Sequence, residues 1–76
     1  MRVVITGAGG FVGRQIVARL LERGDSVVGI DSTAGGIPAG CKAVEGDLGD
    51  PVVRAQALKG GLDALIHLAT VPGGAA

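Results

Sequence analysis

An α/β fold built on a parallel sheet is predicted by three features of this 76-residue sequence. Short β-branched runs alternate with stretches of helical period, as in sheets whose strands are joined by helical crossovers. The hydrophobic residues, 47% of the chain, are mostly Val, Ile, Leu and Ala, with Phe11 the only aromatic, which suits strands covered on both faces. Fifteen glycines, roughly three times average usage, follow no triplet period and so exclude collagen.

Arg2-Val3-Val4-Ile5-Thr6 is a β-branched run that starts at once and stops at a glycine cluster, the mark of a buried and here central strand. From Phe11 to Arg23 the apolar residues Val12, Ile16, Val17, Leu20 and Leu21 recur at helical spacing, while Arg14, Gln15, Arg19, Glu22 and Arg23 point elsewhere. Gly24 ends that helix. Ser26 to Ile30 forms a second buried strand and delivers Asp31 at its carboxyl end. Residues 32–40, with three glycines and a proline, have loop chemistry and are expected to be exposed and mobile. Lys42 to Glu45 reads as a short third strand running into Gly46-Asp47-Leu48. Asp50-Pro51, an N-cap carboxylate before a proline at the first helical position, starts a second helix predicted to reach Lys59. Gly60-Gly61 closes it, and Leu62 to Leu68 supplies a fourth strand.

This β-α-β-β-α-β order, with right-handed crossovers and short connections, gives the spatial strand order 3-2-1-4, the N-terminal half of a Rossmann doubly wound parallel sheet. A chain of this length falls short of the ~100–200 residues of an ordinary domain and buries only about 60% of its unfolded surface. Residues 1–76 are therefore expected to be a partial dinucleotide-binding domain whose remainder and substrate domain lie elsewhere. The loop-like tail Pro72-Gly73-Gly74-Ala75-Ala76 is what a chain cut just after a strand would show.

Seven basic residues balance seven acidic ones, so there is no electrostatic footprint for nucleic acid or an anionic membrane. Cys41 stands alone, which excludes an internal disulfide and a Cys-rich metal site. No apolar run approaches the roughly 18 residues of a membrane span, and Gly7, Gly9, Gly10, Gly13 and Arg14 interrupt the N-terminal stretch that could mimic a signal peptide. A cytoplasmic location is expected.

Gly7, Gly10 and Gly13 form G-x-x-G-x-x-G between the first strand and the first helix. Gly7 permits the tight turn, Gly10 lets the backbone approach a pyrophosphate, and Gly13 lets the helix pack close to the sheet. Free N–H groups at the positive helix end would hold the phosphates. Asp31 follows Gly13 by 18 residues, near the ~20 at which a carboxylate accepts the adenosine ribose hydroxyls. That carboxylate repels a 2′-phosphate and no arginine stands beside it, so NAD is expected ahead of NADP. A Walker-type site is excluded by Arg14, which stands where Gly-Lys-Ser/Thr would be needed. The bare alternative is a glycine turn that only joins strand to helix.

Thr6-Gly7-Ala8-Gly9-Gly10-Phe11-Val12-Gly13 resembles the T-G-A-x-G-F-x-G signature of the extended short-chain dehydrogenase/reductases, the NAD-dependent epimerase/dehydratase family. Gly46-Asp47-Leu48 is similar to its G-D-(L/I/V) stretch, and His67-Leu68-Ala69 to its H-L-A-A segment, with Thr70 where alanine is common. The resemblance runs from Met1 to about Ala69. It implies NAD contacts at Gly7, Gly10, Phe11, Val12, Gly13, Asp31, Ser32, Asp47, Leu48, Leu68 and Ala69. Asp47 would contact the adenine, although it also reads as a turn cap, and His67 reads as a packed strand-end residue.

The family's acid/base pair is Tyr-x-x-x-Lys with an upstream Ser or Thr, and these 76 residues contain no tyrosine. No catalytic residue is therefore assigned, and Lys42 and Lys59 have no partner to activate. The resemblance implies a longer enzyme, homodimeric, acting on a sugar, sugar acid or sugar nucleotide, with His67 to Ala75 most similar to dehydrogenases of four-carbon sugar acids such as erythronate. Two other readings remain open, a non-catalytic NAD-sensing or scaffold module and a truncated product that does not fold.

Overall fold

The computed structural model describes residues 1–69, and the expectations for Thr70 and the tail lie outside them. β1 (Arg2–Thr6) runs inside a parallel sheet, with β2 (Ser26–Asp31) on one side and β4 (Ala64–His67) on the other. β3 (Lys42–Glu45) pairs with the far side of β2, which gives the order β3-β2-β1-β4, as predicted. The registers pair Thr6 with both Ile30 and His67, and Asp31 with Glu45. All four strands therefore end at one edge, where the site lies.

Helix α1 (Phe11–Glu22) connects β1 to β2, and α2 (Pro51–Leu58) connects β3 to β4. Alternation along β1 sends Val3 and Ile5 to one face and Val4 to the other. Val3 and Ile5 pack with Val17 and Leu20 of α1. Val4 packs with Val28, Ile30 and Val44, under Val53 and Ala57 of α2. Each such fully buried aliphatic contributes about 1.5–3 kcal/mol by leaving water, which is why a strand with almost no polar residue sits in the middle.

Element ends differ from expectation by a residue or two, for identifiable reasons. α1 stops at Glu22 because Arg23 is its C-cap, and Gly24 takes the left-handed conformation at φ +86°. α2 stops at Leu58 rather than Lys59, whose carbonyl accepts from Arg2 Nη2 at 2.7 Å, while Arg2 Nε reaches the Gly61 carbonyl at 2.6 Å. The guanidinium so satisfies carbonyls near the helix end that would otherwise lack partners. β4 is shorter than the predicted Leu62–Leu68 because Asp63 closes it off, donating its N–H to the Arg2 carbonyl and accepting the Arg2 N–H on Oδ2, both at 2.7 Å. In the segment 32–40, Ala34–Gly36 form a 3-10 turn, Ser32, Thr33, Gly35, Ala39 and Gly40 are exposed, and Ile37 and Pro38 are half-buried, with Ile37 packed against the α1-side core.

The N-cap of α2 offers a direct check, since Asp50 Oδ1 accepts from Val52 N at 2.9 Å. Asp50→Ala should cost about 1 kcal/mol and lower the circular-dichroism melting midpoint by roughly 4–8 °C. An unchanged midpoint would show that the cap contributes nothing.

Candidate functional site

The turn leaving β1 is made wholly of backbone. Gly7 N and Ala8 N both donate to the Ile30 carbonyl, at 2.8 and 3.1 Å, which fastens the turn to the end of β2. Gly7 has φ +74°, and a Cβ there would lie 3.0 Å from both the Leu68 carbonyl carbon and Ala69 N. Both the conformation and the space demand glycine. A Cβ on Gly13 would run into the Gly7 carbonyl, so the first turn of α1 rests directly on the loop.

Gly10 is different. Its backbone is extended (φ −76°, ψ 172°), and a Cβ there would meet nothing nearer than the Gly7 oxygen at 3.4 Å, an ordinary contact. The fold itself places no demand for glycine at this position. Gly10 is also the N-cap of α1 and provides no side chain to cap it, so the first amides of the helix have no side-chain partner. A bare helix start behind open ground is what an anion-binding loop requires.

Asp31 ends β2 beside this loop. Its Oδ2 accepts from Gly9 N at 2.8 Å and its Oδ1 from Ser32 N at 2.7 Å and Ser32 Oγ at 3.3 Å. Two carboxylate oxygens offer about four acceptor positions, so capacity remains for a ligand hydroxyl. Asp47, after β3, accepts from Gly49 N at 3.0 Å through Oδ1 and so does cap its turn. It also faces the same cleft as Asp31, so the two readings of Asp47 are compatible.

The cleft encloses about 500 Å³ along the carboxyl edge of the sheet. It brings together Gly7, Gly10, Asp31, Ser32, Asp47, Leu48, Leu68 and Ala69 of the sequence-predicted set. Phe11, Val12 and Gly13 do not line it. Phe11 and Val12 are 74% and 55% exposed on α1, and the Gly13 α-carbon is buried against the loop. Phe11 and Val12 stand at the start of α1, so it is their backbone amides and not their side chains that lie next to the loop.

Sequence reasoning missed Thr6, Gly9, Ile30, Gly46 and His67 as parts of the site. Thr6 is buried at 2% exposure, and its Oγ1 lies 2.7 Å from His67 Nδ1 while accepting from Leu68 N at 3.0 Å and Ala69 N at 3.3 Å. Its signal was visible as the one hydroxyl closing an otherwise aliphatic strand. Gly9 carried no signal, because its donation to Asp31 is a contact across 22 residues. Cys41 stays outside the cleft. Burial pushes its thiol pKa up, and Sγ donates to the Pro38 carbonyl at 3.2 Å, which makes it a packing residue and a poor nucleophile. Among the described residues no group of His, Cys, Asp or Glu could hold a metal, and no helix is long and apolar enough to cross a membrane.

Comparison with known proteins identifies the family and the fold. The model of the NAD dependent epimerase/dehydratase family matches residues 3–76. A UDP-glucose 4-epimerase of Corynebacterium glutamicum is 37% identical over 73 residues, covering 91% of this chain and 22% of that protein. A D-erythronate dehydrogenase of Cupriavidus necator is 35% identical over an 89-residue alignment, covering 100% of this chain and 28% of that protein. Among solved structures, a Thermus thermophilus UDP-glucose 4-epimerase in complex with NAD superposes with a TM-score of 0.80 at 33% identity, covering 93% of this chain and 24% of its own. The chain thus spans about a quarter of the length of these relatives.

The contrast between two glycines can be measured without any ligand. Gly13→Ala should cost about 1–3 kcal/mol through overpacking, lowering the melting midpoint by roughly 5–20 °C. Gly10→Ala should shift it by no more than a few degrees, at the scale of an N-cap change. Equal losses would mean that Gly10, like Gly13, serves packing.

Proposed function

This chain belongs to the NAD-dependent epimerase/dehydratase family, and from that premise we propose that it holds the adenosine and pyrophosphate of NAD for an oxidoreductase acting on a sugar, sugar acid or sugar nucleotide. The observation that carries the proposal is the open ground at Gly10 in front of an uncapped α1, a space the fold itself leaves unused.

The residues present fit that cofactor. No lysine or arginine side chain lines the cleft among the described residues, so the phosphates would be held by neutral amides at the start of α1. Asp31 would accept a ribose hydroxyl with its remaining acceptor position, and a second in place of the long bond from Ser32 Oγ. Asp47 and Leu48 would frame the adenine. Two carboxylates in one cleft without a cation disfavour the extra phosphate of NADP. NAD, when bound, takes up or returns a hydride, and this chain's part is to bind and orient it.

The tyrosine that the family uses as acid/base is not among these 76 residues, so the acid/base step is assigned to parts of the enzyme beyond this sequence. The relatives include both an epimerase of a sugar nucleotide and a dehydrogenase of a four-carbon sugar acid, which supports the substrate class and leaves its members as alternatives. A cytoplasmic homodimer belongs to the same proposal on the family likeness alone. The alternative reading is a non-catalytic module that binds NAD and reports its presence. A Tyr-x-x-x-Lys pair elsewhere in the natural full-length protein selects the enzyme, and its absence there selects the sensor.

Calorimetric titration tests the binding. NAD should bind more tightly than NADP, and Asp31→Ala should weaken NAD by about tenfold to a hundredfold, as for a lost hydrogen bond to a charged group, with a smaller loss for NADP. Gly10→Val should abolish NAD binding while leaving a folded protein. Equal losses for the two cofactors in Asp31→Ala would remove Asp31 from the ribose, and tight binding by Gly10→Val would remove the loop from the pyrophosphate.

A further inference from the structure

His67 closes β4 and lines the cleft, yet neither the glycine loop nor the acidic pair gives it a task. Its surroundings constrain it more than its exposed position suggests. Register places His67 directly beside Thr6 on the neighbouring strand, and the Thr6 hydroxyl sits 2.7 Å from ring nitrogen Nδ1. That hydroxyl has one proton to give and two lone pairs to receive with. Leu68 N–H is shared between this hydroxyl, at 3.0 Å, and the Thr6 carbonyl, at 3.1 Å, and Ala69 N donates to the hydroxyl at 3.3 Å.

With two backbone N–H groups directed at its oxygen, one of them shared, the hydroxyl is left to donate its own proton, and Nδ1 is the acceptor the hydrogen-bond network offers. A proton on Nδ1 would instead aim a third donor at the hydroxyl oxygen and leave the hydroxyl's own proton without a partner inside a buried site, an arrangement that costs free energy. The neutral ring must then carry its proton on Nε2, because the hydrogen bond made by one ring nitrogen fixes the role of the other.

We infer that Thr6 locks His67 in the Nε2–H tautomer, and that Nε2–H serves as a hydrogen-bond donor to the cofactor on the side of the pyrophosphate away from adenosine. The side follows from strand order. Along the carboxyl edge stand Asp47 after β3, Asp31 on β2, the glycine loop after β1 and His67 on β4. Asp31 and His67 therefore flank the loop from opposite sides. A dinucleotide whose ribose meets Asp31 and whose phosphates meet the loop continues toward β4, where its next oxygen acceptors are those of the pyrophosphate and the second ribose. His67 is then a binding residue, and Thr6 is a positioning residue that acts through it. The ligand half of this inference rests on the proposed NAD site, whereas the tautomer half stands on the chain's own hydrogen bonds.

The test has two arms. In the first, the imidazole nitrogens are observed by NMR in protein labelled with 15N-histidine, His67 being the one histidine of these 76 residues and its signals assigned by their loss in His67→Asn. Wild type and Thr6→Ser should show a proton-bearing Nε2 and a bare Nδ1, and Thr6→Val should lose that preference. A proton-bearing Nδ1 in wild type overturns the lock.

In the second arm, NAD and AMP are titrated into wild type and His67→Asn, a variant whose amide oxygen can take the Thr6 proton but which has no ring donor beyond it. NAD affinity should fall about threefold to tenfold, as for one lost neutral hydrogen bond, while AMP affinity stays within about twofold. Unchanged NAD affinity, or an equal fall for AMP, overturns the donor role. Failure of wild type to bind NAD overturns the proposed function and the ligand half with it, while the first arm still decides the lock.

Discussion

The first turn of α1 lies on the carbonyl of Gly7 with no room for a methyl group at Gly13 between them, and the other features of the site depend on that contact. It fixes how far the helix start stands from the sheet. Because Gly7 and Ala8 both donate to the Ile30 carbonyl, the same turn is tied to the end of β2, which sets Asp31 beside Gly9. Because Gly7 leaves space for the backbone of Leu68 and Ala69, β4 can end against the loop. A larger residue at Gly7 or Gly13 would separate three strand ends at once. Gly10 alone is free of these demands, and its glycine has meaning only in relation to something outside the chain.

On the proposed function, the charge distribution in the cleft assigns the phosphates to backbone amides. Its charged side chains among the described residues are Asp31 and Asp47, and Arg14 lies elsewhere on α1. Attraction for an anion must therefore come from peptide dipoles at the helix start, equivalent to about half a positive charge. Such a source is weaker than a lysine and is strictly directional. It suits a ligand whose phosphates need placing more than neutralising, and it leaves the carboxylates free to select hydroxyls. Affinity and selectivity are thus divided between different parts of the edge, with amides beside β1 and carboxylates beside β2 and β3.

Much of this was legible because its causes are local in sequence. The β-branched run of β1, the helical spacing from Phe11, Asp50-Pro51 before α2 and the glycine spacing each encode an element within a few residues. What escaped were contacts made across the sheet. Arg2 captures carbonyls at the end of α2 and exchanges two hydrogen bonds with Asp63, which moves the ends of both α2 and β4. Thr6 reaches His67 across 61 residues. In the sequence these residues look like an exposed cation, a turn acid, a strand residue and a strand-end histidine. Only the strand register turns them into partners. For Phe11 and Val12 the family signature marks the positions, while their exposed side chains do not line the cleft.

The way the site is assembled also links ligand binding to stability. Its parts come from the ends of four strands and the start of one helix, and no single hairpin or helix carries it. β4 contributes His67 and leads to Leu68 and Ala69, yet its residues are at best half-buried and Leu65 is 50% exposed. Its inward residues Ala64 and Ile66, with Leu68 just beyond, pack against the α1-side core, and its ladder to β1 supplies the rest of its hold. Opening it would remove the amides bonded to Thr6 and the backbone that packs on Gly7, and so one wall of the cleft. The dinucleotide proposed for this cleft would span from Asp47 to His67 and so meet the ends of all four strands. On the proposed function, binding free energy adds to the stability of the folded sheet, so that occupancy of the cleft stabilises the strand ends that form it.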